Sequence, residues 1–391
     1  MNKCILFVEY HLFMPDVGKL LADCGYTLVG LESKDLTMER FNTACDAHHP
    51  QWLFSINFSP EIAYLCSARG LPYVSWTIDP LPSERLELIG GTNTTSCLAF
   101  AHDTQTVHHL AGQGIRASHL LLAAPANRRS PIRDSARLAP YQCDVSFVGS
   151  SMIDEMSMLD RWLVLRGGDA LSAAAMGWAH RLLQLVGSDP VFCGLNTVGG
   201  IDALPDFLRN MCMSAAEQGE LVSLLDGVLS ALYRQGGVRI MSRFSGASTV
   251  WGDPGWTDIH PQYRGGADHG EELTLIYCAS GINLDIPRLY QRQTITMRIF
   301  DILASGGFVL AERTAALEVV FEEDRHLAYY DSHDELNDVL ARWMSAPLAR
   351  EAIAKAGRQE VLDKHQIKHR VETILNSVQN SNWQFCTRIF A

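Results

Sequence analysis

Short apolar runs alternate with amphipathic stretches along the first third of the chain. Residues 3–8 form an apolar run that predicts a strand, residues 17–24 have the spacing of a helix that ends at Gly25, and residues 26–29 predict a second strand. Further strands are predicted by the same alternation at residues 51–56, 72–78, 96–100 and 118–123. A strand–helix–strand order of this kind predicts a doubly wound parallel sheet.

Polar side chains follow several of these predicted strands. In open parallel sheets, ligands bind at the carboxyl ends of the strands. The residues that the sequence places there are Glu9, His11, Asn57, Ser59, Asp79, His102 and Asp103. The turn after the first strand lacks the spacing G-x-G-x-x-G, so a standard NAD or FAD site is not predicted.

The character of the chain changes at residues 127–141, where arginines and prolines replace the apolar runs, and this favours a linker between two domains. An apolar strand at residues 143–148 begins a second sheet and runs into Gly149 and Ser150. Such a turn either offers backbone N–H groups to an anion or is an ordinary strand-to-helix turn. Residues 152–236 are mostly helical in pattern and carry no motif. Later strands are predicted at residues 238–241, 281–286 and 327–330.

The most informative stretch is residues 294–312. A helical apolar stripe ends at Gly306 and Gly307, because glycine takes the left-handed conformation at a helix end without steric cost, and an apolar strand follows. Arg298 and Asp301 are three residues apart and share one face of the predicted helix. Two interpretations are open: the two side chains hold a diphosphate and a sugar hydroxyl, or they pair with each other.

Composition narrows the class of protein. The chain has 391 residues, of which 47% are hydrophobic and 19% charged, which predicts a globular protein of two domains. The net charge of −12 argues against non-specific binding to nucleic acid or to an anionic membrane. Ten scattered cysteines without a C-x-x-C pair favour free thiols in a reducing cytosol, so the predicted location is cytoplasmic. No apolar run approaches the roughly 20 residues of a membrane helix.

Several short motifs between residues 143 and 375 belong together. They are Phe147-Val-Gly-Ser150, Gly252-Asp-Pro-Gly-Trp256, Tyr263-Arg-Gly265, Ile282-Asn-Leu284 and the run at residues 297–307. This set resembles the CgeB-like, or spore-maturation-type, glycosyltransferases, and the N-terminal part matches them only in its order of elements and at residues 76–80. The resemblance implies an α/β protein of the GT-B fold, with two Rossmann-like domains facing a cleft.

The resemblance also implies the division of the chain. An acceptor-side domain is expected at residues 1–126 and a nucleotide-sugar-binding domain, group-1-like, at residues 142–365. The linker is residues 127–141, the helical insertion is residues 152–236, and a C-terminal helix and tail occupy residues 366–391.

A nucleotide-diphosphate sugar is the co-substrate that the resemblance implies, and no further cofactor is expected. Asp301 takes the position of a glutamate that binds the donor ribose in such enzymes, and Gln293 takes the position of a second glutamate in some relatives. Asp301 is shorter than a glutamate, and Gln293 is neutral, so the geometry of the bound donor and the stereochemical outcome stay open.

Charge develops on the leaving diphosphate, and preorganised donors at that charge lower the barrier. Arg298, the N–H groups of Gly149 and Ser150, and the helix start near Thr294 are the expected donors. Trp256 is a candidate to flank the nucleobase, or else a core or lid residue.

An inverting transfer needs a base beside the acceptor hydroxyl. The candidates are Asp79, Asp103, His11 and His102, although Asp79 also suits a turn before a proline, and His102 and Asp103 also suit local backbone contacts. GT-B enzymes commonly act without a bound metal, and the sequence contains no metal-binding motif.

The sequence therefore predicts a metal-independent, hexosyltransferase-like enzyme. Its acceptor is a protein side chain, a surface glycan or a small molecule, with no nucleic-acid partner and no integral membrane segment. The alternatives are a non-catalytic nucleotide-sugar-binding sensor or assembly subunit with the same fold and, third, a nucleotide-sugar epimerase.

Overall fold

The fold is known from a computed structural model that describes residues 3–10, 13–33, 36–79, 81, 92–187, 189–212 and 214–381. The chain divides into two compact units. Unit 1 comprises Met1–Pro125 and Lys364–Ala391, and unit 2 comprises Ala126–Asp363.

Unit 1 is built on a parallel sheet with the strand order β2-β1-β3-β4-β5-β6. Its strands are β1 (Cys4–Glu9), β2 (Thr27–Glu32), β3 (Leu53–Ile56), β4 (Tyr73–Thr77), β5 (Cys97–Ala101) and β6 (Arg116–His119). Every residue of β3, β4 and β5 is buried, as expected for parallel strands covered on both faces, whereas β2 and β6 at the edges are partly exposed.

Helices between these strands supply the covering layers of unit 1. They are α1 (Met14–Asp23), α2 (Met38–His48), α3 (Pro60–Arg69) and α4 (Thr104–Gly112). Side-chain oxygens fix three of the helix starts, because Thr37, Ser59 and Asp103 accept hydrogen bonds from first-turn N–H groups. The strand ends are therefore followed by short, tightly defined turns.

Unit 2 contains a second parallel sheet with the order β11-β10-β9-β7-β8. Its strands are β7 (Cys143–Val148), β8 (Ser248–Trp251), β9 (Ser280–Asp285), β10 (Val309–Glu312) and β11 (Ala328–Tyr330). Its helices are α5 (Ser135–Leu138), α6 (Ile153–Val186), α7 (Asp206–Arg209), α8 (Ala215–Ser242), α9 (Glu271–Ala279), α10 (Met297–Ser305), α11 (Ala315–Val320), α12 (Leu336–Met344) and α13 (Pro347–Lys364).

The core of unit 2 joins the sheet to the long helices. Phe147, Val250 and Ile282 of the sheet are fully buried against apolar residues of α6 and α8 such as Leu163 and Leu229. Helix α6 is kinked at Gly168, which has a φ of 73°. The non-helical backbone at Gly168 thus divides α6 into two helical segments.

The last helix, α14 (Ile367–Gln379), belongs to unit 1. The amide of Ala124 donates to the carbonyl of His365 at 2.8 Å, and the amide of Ile367 donates back to Ala124 at 3.2 Å. The chain therefore returns to the sheet on which it began.

One strand prediction is wrong. Residues 238–241 are the last turn of α8, and the strand lies later, at Ser248–Trp251. Val238 and Met241 are both fully buried and three residues apart, so they continue the apolar face of the helix. The segment at residues 127–141 contains α5 and a short 3-10 helix at Ala139–Tyr141, and it lies within unit 2.

Candidate functional site

The turn after β7 is held by its own backbone and by Trp256. The Gly149 amide donates to the Trp251 carbonyl at 2.9 Å, and the Gly149 carbonyl accepts from Nε1 of Trp256 at 2.7 Å. A side chain on Gly252 would overlap the Gly149 carbonyl, so the two turns approach each other through glycine. The Gly149 N–H is already used, which corrects the expectation that it is open to an anion.

Asp253 fixes the continuation of this turn at Ser151 and also the backbone at Gly255. The Ser151 amide donates to Oδ2 of Asp253 at 2.6 Å, its hydroxyl donates to Oδ1, and the Gly255 amide donates to Oδ1 at 3.0 Å. Burial alone would raise the pKa of the Asp253 carboxyl, but hydrogen bonds from Ser151, Ser150 and Gly255 lower it overall. Oγ of Ser150 also accepts from the Met152 amide at 2.9 Å. The ionised carboxylate of Asp253 therefore holds this turn in place through hydrogen bonds.

Trp256 is a core residue. Its side chain is fully buried and meets the ring of Phe147 edge-on at 5.6 Å. An enclosed indole offers no face to a ligand, so the predicted nucleobase contact at Trp256 is replaced by a structural role.

Arg298 reaches the Gly149 turn from the first turn of α10. Its Nη1 donates to Oδ1 of Asp285 at 2.7 Å, and its guanidinium lies 5.0 Å from the centre of the Phe147 ring. A Cβ atom on Gly149 would lie 3.0 Å from Nη2 of Arg298, so glycine makes room for this approach. The structure thus brings together two predicted site residues that lie far apart in sequence.

Asp301 does not pair with Arg298. Its Oδ1 lies 3.3 Å from Nε of Arg129, whose Nη2 donates to the His269 carbonyl at 2.8 Å. Burial raises the pKa of the Asp301 carboxyl, and Arg129 opposes that rise. Since Asp301 is 5% exposed, the ribose contact predicted for it is not fulfilled in this conformation.

The start of α10 holds the remaining predicted donor residues. Gln293 is exposed. Thr294 is buried, and its amide donates to Gln291 at 3.0 Å. The N-cap residue is Thr296, whose side chain makes no capping bond, so the start of α10 has no side-chain cap.

Two arginines that the sequence analysis did not single out lie at the same edge of the sheet. Arg234 of α8 donates to the carbonyls of Ser150 at 3.1 Å and Ile286 at 3.2 Å. Burial and the positive charges of Arg298 and Arg288 lower its pKa to about 9. The signal in the sequence is an arginine inside the apolar run 228–238, since a buried charge is costly without partners.

The second is Arg292, which pairs with Glu312 at the end of β10. Nη2 of Arg292 lies 2.5 Å from Oε1 of Glu312, and both side chains are almost fully buried. Burial raises the pKa of Glu312 to about 7 despite this partner. Glu312 therefore belongs to the interior of unit 2.

In unit 1, the carboxyl ends of the strands carry a smaller polar group. Oδ2 of Asp79 accepts hydrogen bonds from the Tyr10 hydroxyl and from Nδ2 of Asn57, both at 2.8 Å. Asp79 is exposed. His11 lies outside the described residues.

His102 and Asp103 have local partners. His102 is 2% exposed, and burial lowers its pKa despite the Asp103 carboxylate 3.6 Å away. Oδ1 of Asp103 accepts from the Thr106 amide at 2.7 Å and caps α4. Of the base candidates that the structure describes, Asp79 alone is exposed.

The described residues contain neither a metal-binding cluster nor a membrane-spanning helix. No group of three or more His, Cys, Asp or Glu residues is arranged to hold a metal ion in the described ranges. Among the same residues, no helix has both the length and the apolar character that crossing a bilayer requires.

Comparisons with known proteins indicate the class of protein to which this chain is similar. Residues 231–376 match the family described as glycosyl transferase-like. No curated protein sequence matches the chain. The fold is similar to sucrose-phosphate synthase from Thermosynechococcus elongatus, with a TM-score of 0.61 and 10% identity over 97% of this chain and 98% of that one.

Two further solved structures are similar over their whole length. A glycosyltransferase from Rickettsia africae has a TM-score of 0.55 and 12% identity, covering 97% of this chain and all (100%) of that one. HepE from Anabaena, in complex with UDP and glucose, has a TM-score of 0.56 and 9% identity at 97% and 100% coverage. At sequence identities of 10%, 12% and 9%, the similarity of these three structures to this chain concerns the fold alone.

The fold is GT-B, as the sequence predicted, with two parallel sheets flanked by helices. The stretch that matches the glycosyl transferase-like family, residues 231–376, includes β8 to β11 and α10. The predicted class, a glycosyltransferase of the GT-B fold, is thereby confirmed.

Proposed function

We propose that this protein transfers a sugar from a nucleotide-diphosphate donor to the hydroxyl group of an acceptor, with the donor at the carboxyl edge of the sheet in unit 2. One observation carries the proposal. Arg298, inside the matched region, reaches the Gly149 turn at the edge where parallel sheets bind ligands.

Arg298 is suited to the leaving diphosphate. Its Nη1 is anchored on Asp285, and in the described part of the chain its Nη2 donates no hydrogen bond. Its side chain is 14% exposed, so the charge is partly withdrawn from water while one nitrogen stays available. A fixed cation in such surroundings stabilises developing negative charge more than a hydrated one does.

The finer assignment rests on resemblance. HepE, similar in fold, was crystallised with UDP and glucose, which supports a UDP-sugar as the first donor to test. The motifs at residues 147–150, 252–256 and 297–307 support the CgeB-like subclass, with a protein, a surface glycan or a small molecule as acceptor. In this proposal the positive charge at the diphosphate comes from Arg298 and not from a metal ion.

Calorimetric titration of the full chain tests the proposal. UDP-glucose and a panel of GDP-, TDP- and CMP-sugars are titrated into the wild type, and release of the nucleotide is followed. Arg298→Ala is expected to weaken binding by about 10- to 100-fold, since a hydrogen bond to a charged group contributes about 1.5–3 kcal/mol. Arg298→Lys keeps a charge beside Asp285 and should lose less.

The matched control is Arg325→Ala. Arg325 is in unit 2, and its ion pair with Glu322 is solvent-exposed. Donor affinity should stay at the wild-type value in this variant. A wild-type protein that binds no nucleotide sugar of the panel and releases no nucleotide would overturn the proposed function.

A further inference from the structure

The guanidinium groups of Arg234 and Arg298 meet at one backbone oxygen in unit 2. Nε of Arg234 donates to the Ile286 carbonyl at 3.2 Å, and Nη1 of Arg298 lies 3.5 Å from the same oxygen. Both groups also lie near one ring, at 5.8 Å and 5.0 Å from the centre of Phe147. Two like charges in this arrangement repel each other, so they need negative charge nearby.

One carboxylate is in contact with these two arginines. Asp285 is 2% exposed, and its Oδ1 accepts from Nη1 of Arg298 at 2.7 Å. Arg234 is also 2% exposed, and in the described part of the chain its hydrogen-bond partners are the carbonyls of Ser150 and Ile286. Carbonyl oxygens accept its N–H groups but carry no full negative charge. A charge withdrawn from water is costly unless an opposite charge compensates it.

Arg288 adds a third positive charge at this edge of the sheet. It follows the end of β9 by three residues and is partly exposed, and its guanidinium lies 6.0 Å from the centre of the Tyr290 ring. Burial and the positive charges of Arg298 and Arg288 lower the pKa of Arg234, so the three charges act on one another.

The other carboxylates near this edge do not pair with the three arginines. Glu312 pairs with Arg292, and Asp253 accepts hydrogen bonds from two backbone amides of its own turn. Glu155 of α6, which is close enough to act on Tyr290, forms no ion pair among the described residues. One carboxylate contact for three arginines leaves positive charge in excess beside the Gly149 turn.

A diphosphate matches this excess. The diphosphate of a nucleotide sugar carries one negative charge on each of its two phosphates, whereas the single phosphate of a CMP-sugar carries one. Guanidinium groups bind phosphate oxygens through charge-assisted hydrogen bonds. We propose that Arg234 and Arg288 join Arg298 in one anion site, and that this site selects the donor by the charge of its phosphate group, binding diphosphates in preference to monophosphates. This inference rests on the function proposed above and deepens it.

The three arginines have different tasks in this site. Arg298 and Arg288 are partly exposed, and they contact the phosphates. Arg234 is buried and is a positioning residue, because it holds the Ser150 carbonyl at 3.1 Å and adds positive charge behind the turn. All three belong to unit 2.

Calorimetric titration of the full chain with UDP and UMP tests the inference, because these two ligands share base and ribose and differ by one phosphate. If another donor of the panel binds most tightly, the diphosphate and monophosphate of its nucleoside are used. The wild type should bind the diphosphate about tenfold or more tightly than the monophosphate, the effect of one hydrogen bond to a charged group. Arg288→Gln should lower this ratio of affinities by about threefold to tenfold, and Arg288→Lys, which keeps the charge, should lower it less.

Arg234→Met separates the charge from the packing of the side chain. Methionine keeps much of the apolar stem but removes the charge and the two carbonyl contacts. A merely structural role would lower the melting temperature and weaken both ligands alike, whereas the proposed role also lowers the ratio of diphosphate to monophosphate affinity. If Arg234→Met does not fold, the ratio in Arg288→Gln decides. Arg239→Gln, at an exposed arginine near the end of the same helix, is the matched control and should keep the wild-type ratio.

The outcomes are distinct. If the wild type binds a diphosphate sugar but binds the monophosphate as tightly as the diphosphate, or if Arg288→Gln keeps the wild-type ratio, the inference is overturned and the proposed function stands. If the wild type binds no nucleotide sugar of the panel, or a CMP-sugar alone, the proposed function fails, and the inference fails with it.

Discussion

Arg298 and Asp301 lie on one helix, three residues apart, yet each has a different partner. Arg298 pairs with Asp285 on the sheet side, and Asp301 lies against Arg129 near the start of unit 2. Breaking a buried pair is costly because the remaining charge stays buried without compensation, whereas exposed pairs contribute little.

Arg129→Ala is therefore expected to destabilise unit 2 by about 3–5 kcal/mol. The side chain of Arg129 is 3% exposed, and it also ties the carbonyls of His269 and Gly270 at the start of α9. The free energy of unfolding from urea titration measures the effect. Arg129→Ala with Asp301→Asn should recover part of the loss, because the unpaired charge is removed.

The matched control is Arg137→Ala. Arg137 lies in the same arginine-rich segment and pairs with Glu271, also at the start of α9, but both of these side chains are largely exposed. Its loss should leave the free energy of unfolding almost unchanged, because exposed ion pairs contribute little. Equal effects of the two substitutions would contradict a buried structural role for Arg129.

For single residues, the sequence predicted the element on which a side chain lies better than it predicted the side chain's hydrogen-bond or ion-pair partners. Helical spacing correctly placed Arg298 and Asp301 on one helix, and strand ends correctly located Asp79 and Asp103. The partners Arg129, Asp285 and Tyr10 come from distant parts of the chain, and no local pattern encodes which side chains converge. Only the folded sheets bring them within hydrogen-bond distance.

Helix α8 connects the helical insertion to the site. Arg234 and Gln235 hold the carbonyls of Ser150 and Ser151, so one turn of α8 fixes the turn after β7. The helix also carries Asp226, whose Oδ1 accepts from the Leu195 amide at 2.7 Å. Burial raises the pKa of Asp226 to about 7, because a single backbone donor does not replace water.

Asp226 should make stability depend on pH. In the unfolded chain the carboxyl has the ordinary aspartate pKa of 3.8, so between about pH 4 and pH 7 the folded state binds a proton that the unfolded state has lost. The stabilisation is fully present below the unfolded pKa and is lost as the pH rises through 7. A difference of about three pKa units corresponds to a few kcal/mol, on the order of 4.

Asp226→Asn removes this titration and can still accept from the Leu195 amide. Its free energy of unfolding relative to wild type should therefore rise between pH 5 and pH 8, by about 2–4 kcal/mol in urea titrations. Asp202→Asn, at a side chain that is 86% exposed, is the control and should show no such trend. A constant difference between Asp226→Asn and wild type would exclude the titration.

The elements themselves were largely predictable, and the exceptions have local causes. Apolar runs bounded by glycine or polar turns located most strands of the two sheets, because strands buried on both faces are apolar throughout. The strand prediction for residues 238–241 failed because an apolar run inside a longer helix has the same composition as a buried strand. Gly168, with its non-helical φ of 73°, divides α6 into two helical segments.

For the molecule as a whole, the order of elements and the motifs of the C-terminal half predicted the GT-B fold and the class. What they did not predict is that the described residues 364–381 return to unit 1. Arg370 links α14 to the end of β6: it is 8% exposed and donates to the carbonyls of Leu121 at 2.9 Å and Leu122 at 3.1 Å. Its Nη1 also donates to Lys364 at 3.1 Å.

Arg370→Met keeps most of the apolar stem but removes these donors. The carbonyl of Leu122 then stays buried without these donors, which costs about 1–3 kcal/mol, and the half-buried carbonyl of Leu121 loses its donor as well. Hydrogen exchange followed by mass spectrometry should therefore show faster exchange in peptides that cover β6 and α14, by about tenfold or more, since exchange reports the free energy of local opening. The control, Lys368→Met on the same helix, changes an exposed side chain and should leave exchange at the wild-type rate. Wild-type protection in Arg370→Met would mean that α14 is held to unit 1 by its apolar face alone, through residues such as Val371 and Ile374.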